Sequence, residues 1–197
     1  MRVRAHEWVD DARLFGSWML VVPSVSGARA LRRHGKRHLT AAWQGHAGPR
    51  PPCEPLPLQW RLLEALPPPG SSAEERCVQP LRDPILSEIE PGAGCSLQCR
   101  VRVPYDLAIF DGHFPAIPIV PGVVQVGWAI RLARSHLQLG GNFSGITATK
   151  FRRLVQPGIS LALTLDLQPG SRQLRFDYSF DDAVVSTGRV LFGSADG

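Results

Sequence analysis

One stretch, residues 112–139, constrains the fold more than any other part of the chain. It reads GHFPAIPIVPGVVQVGWAIRLARSHLQL. Its prolines Pro115, Pro118 and Pro121 keep the backbone extended, since each fixes φ and disfavours a helical residue before it. A nearly uncharged run follows Pro121, and a proline at the first position of such a run predicts a helix buried on most sides. The start of that helix would offer free N–H groups and a partial positive charge.

Two motifs in the C-terminal part carry a family resemblance. The first begins at His113 and reads HFPAIPIVPGV, and the second begins at Lys150 and reads KFRRLVQPG. In this order they resemble motifs of the hotdog-fold β-hydroxyacyl-ACP dehydratases of fatty-acid synthesis, the FabZ/FabA-like enzymes. With Gln125 and Trp128 in the helix, the sequence most resembles the ApeI-like dehydratases of aryl-polyene clusters. The resemblance covers residues 83–193.

The resemblance implies a role for each residue of the first motif. His113 matches the catalytic histidine, the base that removes a proton from C2 of a 3-hydroxyacyl thioester, and an imidazole titrates near neutral pH as that role requires. The backbone N–H groups of Gly122 and Val123 match the site that polarises the thioester carbonyl. The residues that the resemblance places against the substrate are Phe114, Pro121, Gln125, Gly127 and Arg153.

Gly127 departs from the family pattern. The family has an Asp or Glu fourteen residues after the histidine, which protonates the departing C3 hydroxyl, and that position is Gly127 here. Glycine cannot transfer a proton, and inside a helix it is about 1 kcal/mol less favourable than alanine. Three other groups could take the place of the missing acid. Asp111 lies two residues before His113 and is better placed to orient the imidazole, Gln125 can only form hydrogen bonds, and a water molecule could fill the space of the missing carboxylate. A purely structural interpretation is that Gly127 permits close packing of the helix on the sheet.

These residues predict a dehydratase-like protein, and three hypotheses describe its function. The first is dehydration of 3-hydroxyacyl-ACP, weakened by the missing acid. The second is hydrolysis of a thioester on the same scaffold. The third is a non-catalytic subunit that holds an acyl carrier without turning it over, which Gly127 favours.

The same resemblance implies the partners. The substrate would arrive on the phosphopantetheine of an acyl carrier protein, and the protein would need no cofactor or metal of its own. We expect a homodimer, or a heterodimer with another hotdog subunit. No nucleic-acid or membrane partner is expected.

Three cations in the second motif allow two interpretations. Strand alternation would place Phe151 and Arg153 on one side and Lys150 and Arg152 on the other. Either these cations meet the acidic carrier or the phosphopantetheine phosphate, or they form a solvated face.

The N-terminal part differs from the rest in charge and composition. Residues 1–82 hold 12 Lys/Arg against 7 Asp/Glu, whereas residues 83–197 hold 10 of each, so the net charge of +5 belongs to the N-terminal part. Prolines from 48 to 82 indicate a linker. Residues 56–67, LPLQWRLLEALP, resemble a segment in the C-terminal subdomain of adenylate-forming acyl ligases, without the lysine that follows it in that family. We therefore predict an irregular extension over residues 1–82, with a short strand at Trp18–Val22 and a basic helix-like segment from Gly27 to about Trp43. The extension is a possible ligase remnant, dispensable for folding of a domain at 83–193.

Alternating apolar residues predict the strands of that domain. Strands are expected at Ile85–Ile89 and Cys95–Val103 before the helix, which should end near Gly140, and at 145–155, 160–167, 172–180 and 184–192 after it. One buried helix followed by a meander of antiparallel strands is an α+β arrangement in which the sheet wraps around the helix. The predicted fold class is therefore α+β, a hotdog fold.

The cysteines and the hydropathy of the sequence predict a cytoplasmic location for the protein. The four cysteines lack a metal-ligand spacing, and Cys95 and Cys99 are too far apart along a strand to form a disulfide, so we expect reduced thiols. Leu14–Val25 is apolar, but the acidic residues before it argue against a signal peptide. No run reaches the roughly 18 apolar residues that a membrane helix needs.

Overall fold

The computed structural model describes residues 2–48, 59–112, 114 and 116–193. The chain forms two compact units. The first comprises Met1–Arg82, Pro104–Ile119 and Gln156–Gly158, and the second comprises Asp83–Val103, Val120–Val155 and Ile159–Gly197. Two short segments of the predicted C-terminal domain therefore cluster with the N-terminal residues.

The first unit contains a small sheet and a long helix. Strands β1 (Val9–Phe15) and β2 (Trp18–Pro23) pair antiparallel, and β3 (Gln59–Leu62) pairs parallel with β2. Helix α1 (Val25–Ala47) begins at Ser24, whose side chain accepts a hydrogen bond from the Gly27 N–H, and it is kinked at Gly35. Two short helices, α2 (Ser72–Cys77) and α3 (Ile109–Gly112), complete the unit.

The expectation of an irregular N-terminal extension is therefore wrong for the described residues. Strand β2 and helix α1 were predicted, but β1, β3 and α2 were not. Apolar side chains from all three strands and α1 form a common buried cluster with Met19, Leu39, Trp43 and Trp60 among its members. A core of this kind gives the segment a regular fold that local proline content does not reveal.

The second unit is a six-stranded antiparallel sheet with one helix. Its strands are β4 (Ile85–Pro91), β5 (Ser96–Arg102), β6 (Phe143–Phe151), β7 (Ser160–Gln168), β8 (Gln173–Phe180) and β9 (Ala183–Phe192). They lie in the order β4-β5-β7-β8-β9-β6. Helix α4 (Gly122–His136) contacts β7 and β8. This is the predicted α+β hotdog arrangement.

Alternation along the central strands builds the core beneath the helix. Leu161, Leu163 and Leu165 of β7 are each 0–1% exposed, while the residues between them are not buried. Buried Trp128 and Ala129 of α4 belong to the same unit. The sheet therefore presents its apolar face to a helix that is itself apolar.

Strand β6 is an edge strand and differs from the others. Its burial pattern does not alternate, and Phe143, Ile146 and Phe151 are exposed. Its pairing with β9 shifts register twice. Among the residues that the structure describes, no helix combines the length and the apolar character that crossing a bilayer requires.

Candidate active site at the start of the long helix

Helix α4 begins with two backbone donors for which the described part of the chain provides no acceptor. Pro121 is the N-cap rather than the first helical residue, with φ −58° and ψ 148°. Its carbonyl accepts the N–H groups of Val124 at 3.0 Å and Gln125 at 3.2 Å. The N–H groups of Gly122 and Val123 have no hydrogen-bond acceptor among the described residues. Together with the partial positive charge of the helix start, they can bind a carbonyl oxygen on which negative charge develops.

Gln125 holds this helix start in place from inside the unit. It is 3% exposed, its Nε2 donates to the Val120 carbonyl at 3.2 Å, and its Oε1 accepts from the Ser186 hydroxyl at 2.7 Å. The Tyr178 hydroxyl donates to the Gln125 carbonyl at 2.9 Å. Burial raises the pKa of Tyr178, which keeps this donor protonated. The structure places Gln125 in the interior as a positioning residue, whereas the sequence placed it against the substrate.

Phe151 covers the first residue of the helix. A Cβ atom at Gly122 would lie closer than 3.0 Å to the Phe151 ring, so any larger residue there would require the ring to move. The ring itself is 49% exposed, and the Val123 side chain is 71% exposed. The helix start therefore carries an exposed aromatic ring and an exposed apolar side chain next to its two N–H groups, a setting that suits a thioester.

Gly127 occupies an open position on the helix. A Cβ atom built there meets a single neighbouring atom, Nη1 of Arg131 at 3.5 Å, an ordinary contact. The interpretation that Gly127 permits close packing of helix on sheet is therefore wrong, because no sheet atom lies in its way. Arg131 forms an ion pair with Asp83. The described side chain nearest the predicted acid position is thus a cation.

The loop that precedes the helix is described only in part. His113 and Pro115 lie outside the described residues. Phe114 belongs to the first unit, has a left-handed φ of 53° and is 61% exposed. Asp111, an alternative acid or imidazole-orienting group, is exposed in α3. The roles predicted for these residues remain predictions.

Lys150, Arg152 and Arg153 are all exposed, but the predicted alternation is wrong. Strand β6 ends at Phe151, and the N–H groups of Arg152 and Arg153 both donate to the Val185 carbonyl, at 2.8 and 3.3 Å. The chain therefore leaves the strand before Arg152. None of the three cationic side chains makes a hydrogen bond or ion pair to another described residue.

Sequence reasoning missed Phe151 and Arg131 as members of this site. Arg131 stands four residues after Gly127, and residues at this spacing share a helix face, so the signal was present. Phe151 gave no such signal, because its contact with Gly122 joins residues that are 29 positions apart in the sequence.

Comparisons with known proteins identify the family of the chain. The family model described as ApeI-like, ApeI dehydratase, matches residues 90–189. The 3-hydroxyacyl-[acyl-carrier-protein] dehydratase FabZ of Ruminiclostridium cellulolyticum is 31% identical, with 62% of this chain and 95% of the relative aligned. FabZ of Acetivibrio thermocellus is 34% identical, with 59% of this chain and 84% of the relative aligned.

A solved structure shows the same fold. The dehydratase heterocomplex ApeI:P from Xenorhabdus doucetiae matches with a TM-score of 0.54 at 31% identity, covering 57% of this chain and 99% of that chain. The family model spans about half of this chain, and the chain covers most of the FabZ relatives. The protein therefore belongs to the ApeI-like dehydratase family.

Proposed function

We propose that this dehydratase-like chain removes water from a 3-hydroxyacyl thioester carried by an acyl carrier protein, in fatty-acid or aryl-polyene synthesis. The observation that carries the proposal is the pair of unpaired N–H groups at Gly122 and Val123. In a member of this family, they are the groups suited to polarise the thioester carbonyl.

The reaction needs two proton movements around that carbonyl. In the proposed role, His113 takes the C2 proton, and the electron pair forms the C2–C3 double bond as the C3–O bond breaks. The hydroxyl leaves as water once it receives a proton. Gly127 has no side chain that could supply this proton, and the nearest described side chain is the Arg131 guanidinium rather than a carboxyl group. Hence we expect slow turnover by this chain alone.

A partner subunit would complete the assembly. Edge strand β6 exposes unpaired backbone and apolar side chains, which are hazards for a monomer unless another strand covers them. The matching structure from Xenorhabdus doucetiae is a heterocomplex. We therefore propose a homodimer, or a heterodimer with another hotdog subunit, that pairs through β6.

The carrier protein would meet the exposed cations Lys150, Arg152 and Arg153. Because these cations have no partner among the described residues, they are available to an acidic protein surface or a phosphopantetheine phosphate. We propose no cofactor besides the phosphopantetheine of the carrier. Three described cysteines carry free thiols, which supports a cytoplasmic location.

An absorbance assay of crotonyl-ACP hydration and 3-hydroxyacyl-ACP dehydration tests the proposal. We expect slow conversion by the wild type and loss of conversion in His113→Ala. Val25→Ala, which changes an exposed valine of the first unit, serves as the control and should keep wild-type activity.

Two other results of this assay would favour the alternative functions. Release of a free carrier thiol without enoyl product would favour the thioesterase. Binding of acyl-ACP with no turnover, in a folded protein, would favour the non-catalytic carrier-binding subunit, which the cation beside Gly127 supports.

A further inference from the structure

The first unit encloses a cavity that the proposed dehydration does not use. It has a volume of about 420 Å³, within the range of small-molecule pockets. Its walls come from β2, β3, α1 and the segment 105–118, all of them parts of the first unit. The argument for a ligand depends on the charge and the aromatic side chains of these walls.

Buried Asp106 anchors the charged side of the cavity. Its carboxylate oxygens accept from Lys36 Nζ at 2.7 and 2.9 Å, and one accepts from Arg61 Nη1 at 3.2 Å. The Leu62 N–H also donates to it at 3.2 Å. Asp106 is 3% exposed, so its charge is fully engaged by these donors.

A positive charge remains after this pairing. The lining contains three cations, Lys36, Arg37 and Arg61, against two carboxylates, Asp106 and Asp111. Arg37 is exposed and its guanidinium makes no hydrogen bond or ion pair to another described residue. The cavity therefore favours an anion over a neutral or cationic molecule.

The apolar part of the lining is mainly aromatic. Trp18, Trp60, Tyr105 and Phe110 line the cavity, and the Arg61 guanidinium lies 4.9 Å from the centre of the Trp18 ring. Aromatic side chains pack well on planar rings, and guanidinium groups bind carboxylates and phosphates through two parallel hydrogen bonds.

We infer that this cavity binds a small aromatic oxyanion, a single ring bearing a carboxylate or a phosphate, with Arg37 as the residue that pairs with its charge. The inference does not depend on the proposed dehydration: Lys36, Arg37 and Arg61 have no role in that reaction, and Asp111, which also lines the cavity, was considered there only as an alternative acid.

Isothermal titration and ligand-observed saturation-transfer NMR on the full chain test the inference. The probes are benzoate and phenyl phosphate, with benzamide as the neutral ring and hexanoate as the non-aromatic anion. We expect saturable binding of at least one aromatic anion, and at least tenfold weaker binding of benzamide and hexanoate. Comparing benzoate with phenyl phosphate identifies the oxyanion.

A pair of arginine variants locates the site. Arg37→Ala should weaken binding of the aromatic anion at least tenfold, whereas Arg33→Ala, an exposed arginine of α1 outside the cavity, should leave it unchanged. Both positions are exposed, so neither change should unfold the protein. Absence of saturable binding up to about 10 mM, equal binding of the neutral ring, or equal loss in both variants would overturn the inference.

Discussion

The Arg131 guanidinium lies 3.5 Å from the point at which a side chain on Gly127 would begin. This relationship decides what an acid restored at residue 127 could do. A nearby cation favours the ionised form of a carboxyl group and lowers its pKa. A carboxylate that stays ionised cannot protonate a departing hydroxyl.

Gly127→Glu alone should therefore raise dehydration only slightly, and Gly127→Glu with Arg131→Gln should raise it much further. One positioned proton donor typically contributes about 10²–10⁴-fold. Steady-state rates on 3-hydroxyacyl-ACP would measure the gain, and adding His113→Ala should remove it. An equal gain with and without Arg131 would show that the guanidinium does not control the new carboxyl group.

Gln125→Leu should destabilise the folded state. It leaves the buried Ser186 hydroxyl and the Val120 carbonyl without their hydrogen-bond partner. Each buried polar group left unpaired lowers the free energy of unfolding by about 1–3 kcal/mol. Urea unfolding measures the loss. Val123→Ala on the same helix, 71% exposed, should change stability by no more than about 0.5 kcal/mol.

A double-mutant cycle isolates the Gln125–Ser186 bond. Ser186→Ala and Gln125→Leu should couple by about 0.5–3 kcal/mol, as groups in direct contact do. Strictly additive losses would mean that the bond contributes nothing to stability.

Asp106→Ala should be among the most damaging single changes in the first unit. It leaves the buried Arg61 and the half-buried Lys36 without their counter-ion, and breaking a buried pair in this way typically destabilises by about 3–5 kcal/mol. Asp111→Ala, an exposed carboxylate five residues later, should lie within about 0.5 kcal/mol of the wild type. Similar losses in both variants would refute the role of the Asp106 network.

The same network bears on the prediction that residues 1–82 are dispensable. The Asp106 carboxylate accepts hydrogen bonds from Lys36, Arg61 and the Leu62 N–H, and all three donors lie within residues 1–82. We now expect a fragment of residues 83–197 to unfold at lower urea concentration than the full chain. Equal unfolding midpoints would restore the original prediction.

His6 should make stability depend on pH. Burial, followed by the charge of His46, lowers the pKa of His6 below its ordinary value of 6.5, while Glu7 opposes the shift. The unfolded chain therefore binds the proton more tightly than the folded protein. The contribution of His6 is fully present above about pH 6.5 and is lost as the pH falls through that value.

His6→Asn removes this titration and keeps a side-chain acceptor for the Trp8 N–H, which His6 Nδ1 accepts at 3.1 Å in the wild type. Urea midpoints between pH 7.5 and pH 5 should fall less in His6→Asn than in the wild type. Parallel pH profiles for the two proteins would exclude His6 as a source of the dependence.

Periodicity in the sequence predicted most of the second unit. The regular alternation of Leu161, Leu163 and Leu165 marks one buried face, and the uncharged run after Pro121 marks the helix. The end of the helix was placed too late, near Gly140. Helix α4 ends at His136, and the left-handed residue that follows is Gln138, with φ 53°, rather than a glycine.

The first unit was harder to predict because its signals are not local. Strand β1 contains Asp10 and Asp11 and shifts register beside them, so its apolar residues do not alternate cleanly. Asp11 is stabilised there by an ion pair with Arg4 at 2.8 Å. Strand β3 is held by parallel pairing with β2, about 40 residues earlier in the chain.

In the candidate site, too, only the features that are local in the sequence could be predicted. The helix start and its two free N–H groups follow from Pro121 and the apolar run, both of which are local features. The interior position of Gln125 depends on Ser186, which lies 61 residues away, so no local pattern predicts it.

Infrared spectroscopy of a bound thioester tests the central claim most directly, namely that the N–H groups of Gly122 and Val123 polarise the substrate carbonyl. The probe is a crotonyl-pantetheine thioester with a ¹³C-labelled carbonyl. On the wild type its C=O band should move to lower frequency than in buffer, because two aligned donors withdraw electron density from the bond.

Val123→Ala keeps both N–H groups and should preserve the shift. Val123→Pro removes one of the two N–H groups and should reduce the shift. A bound thioester whose band stays at its frequency in buffer, or a shift that survives unchanged in Val123→Pro, would contradict the account.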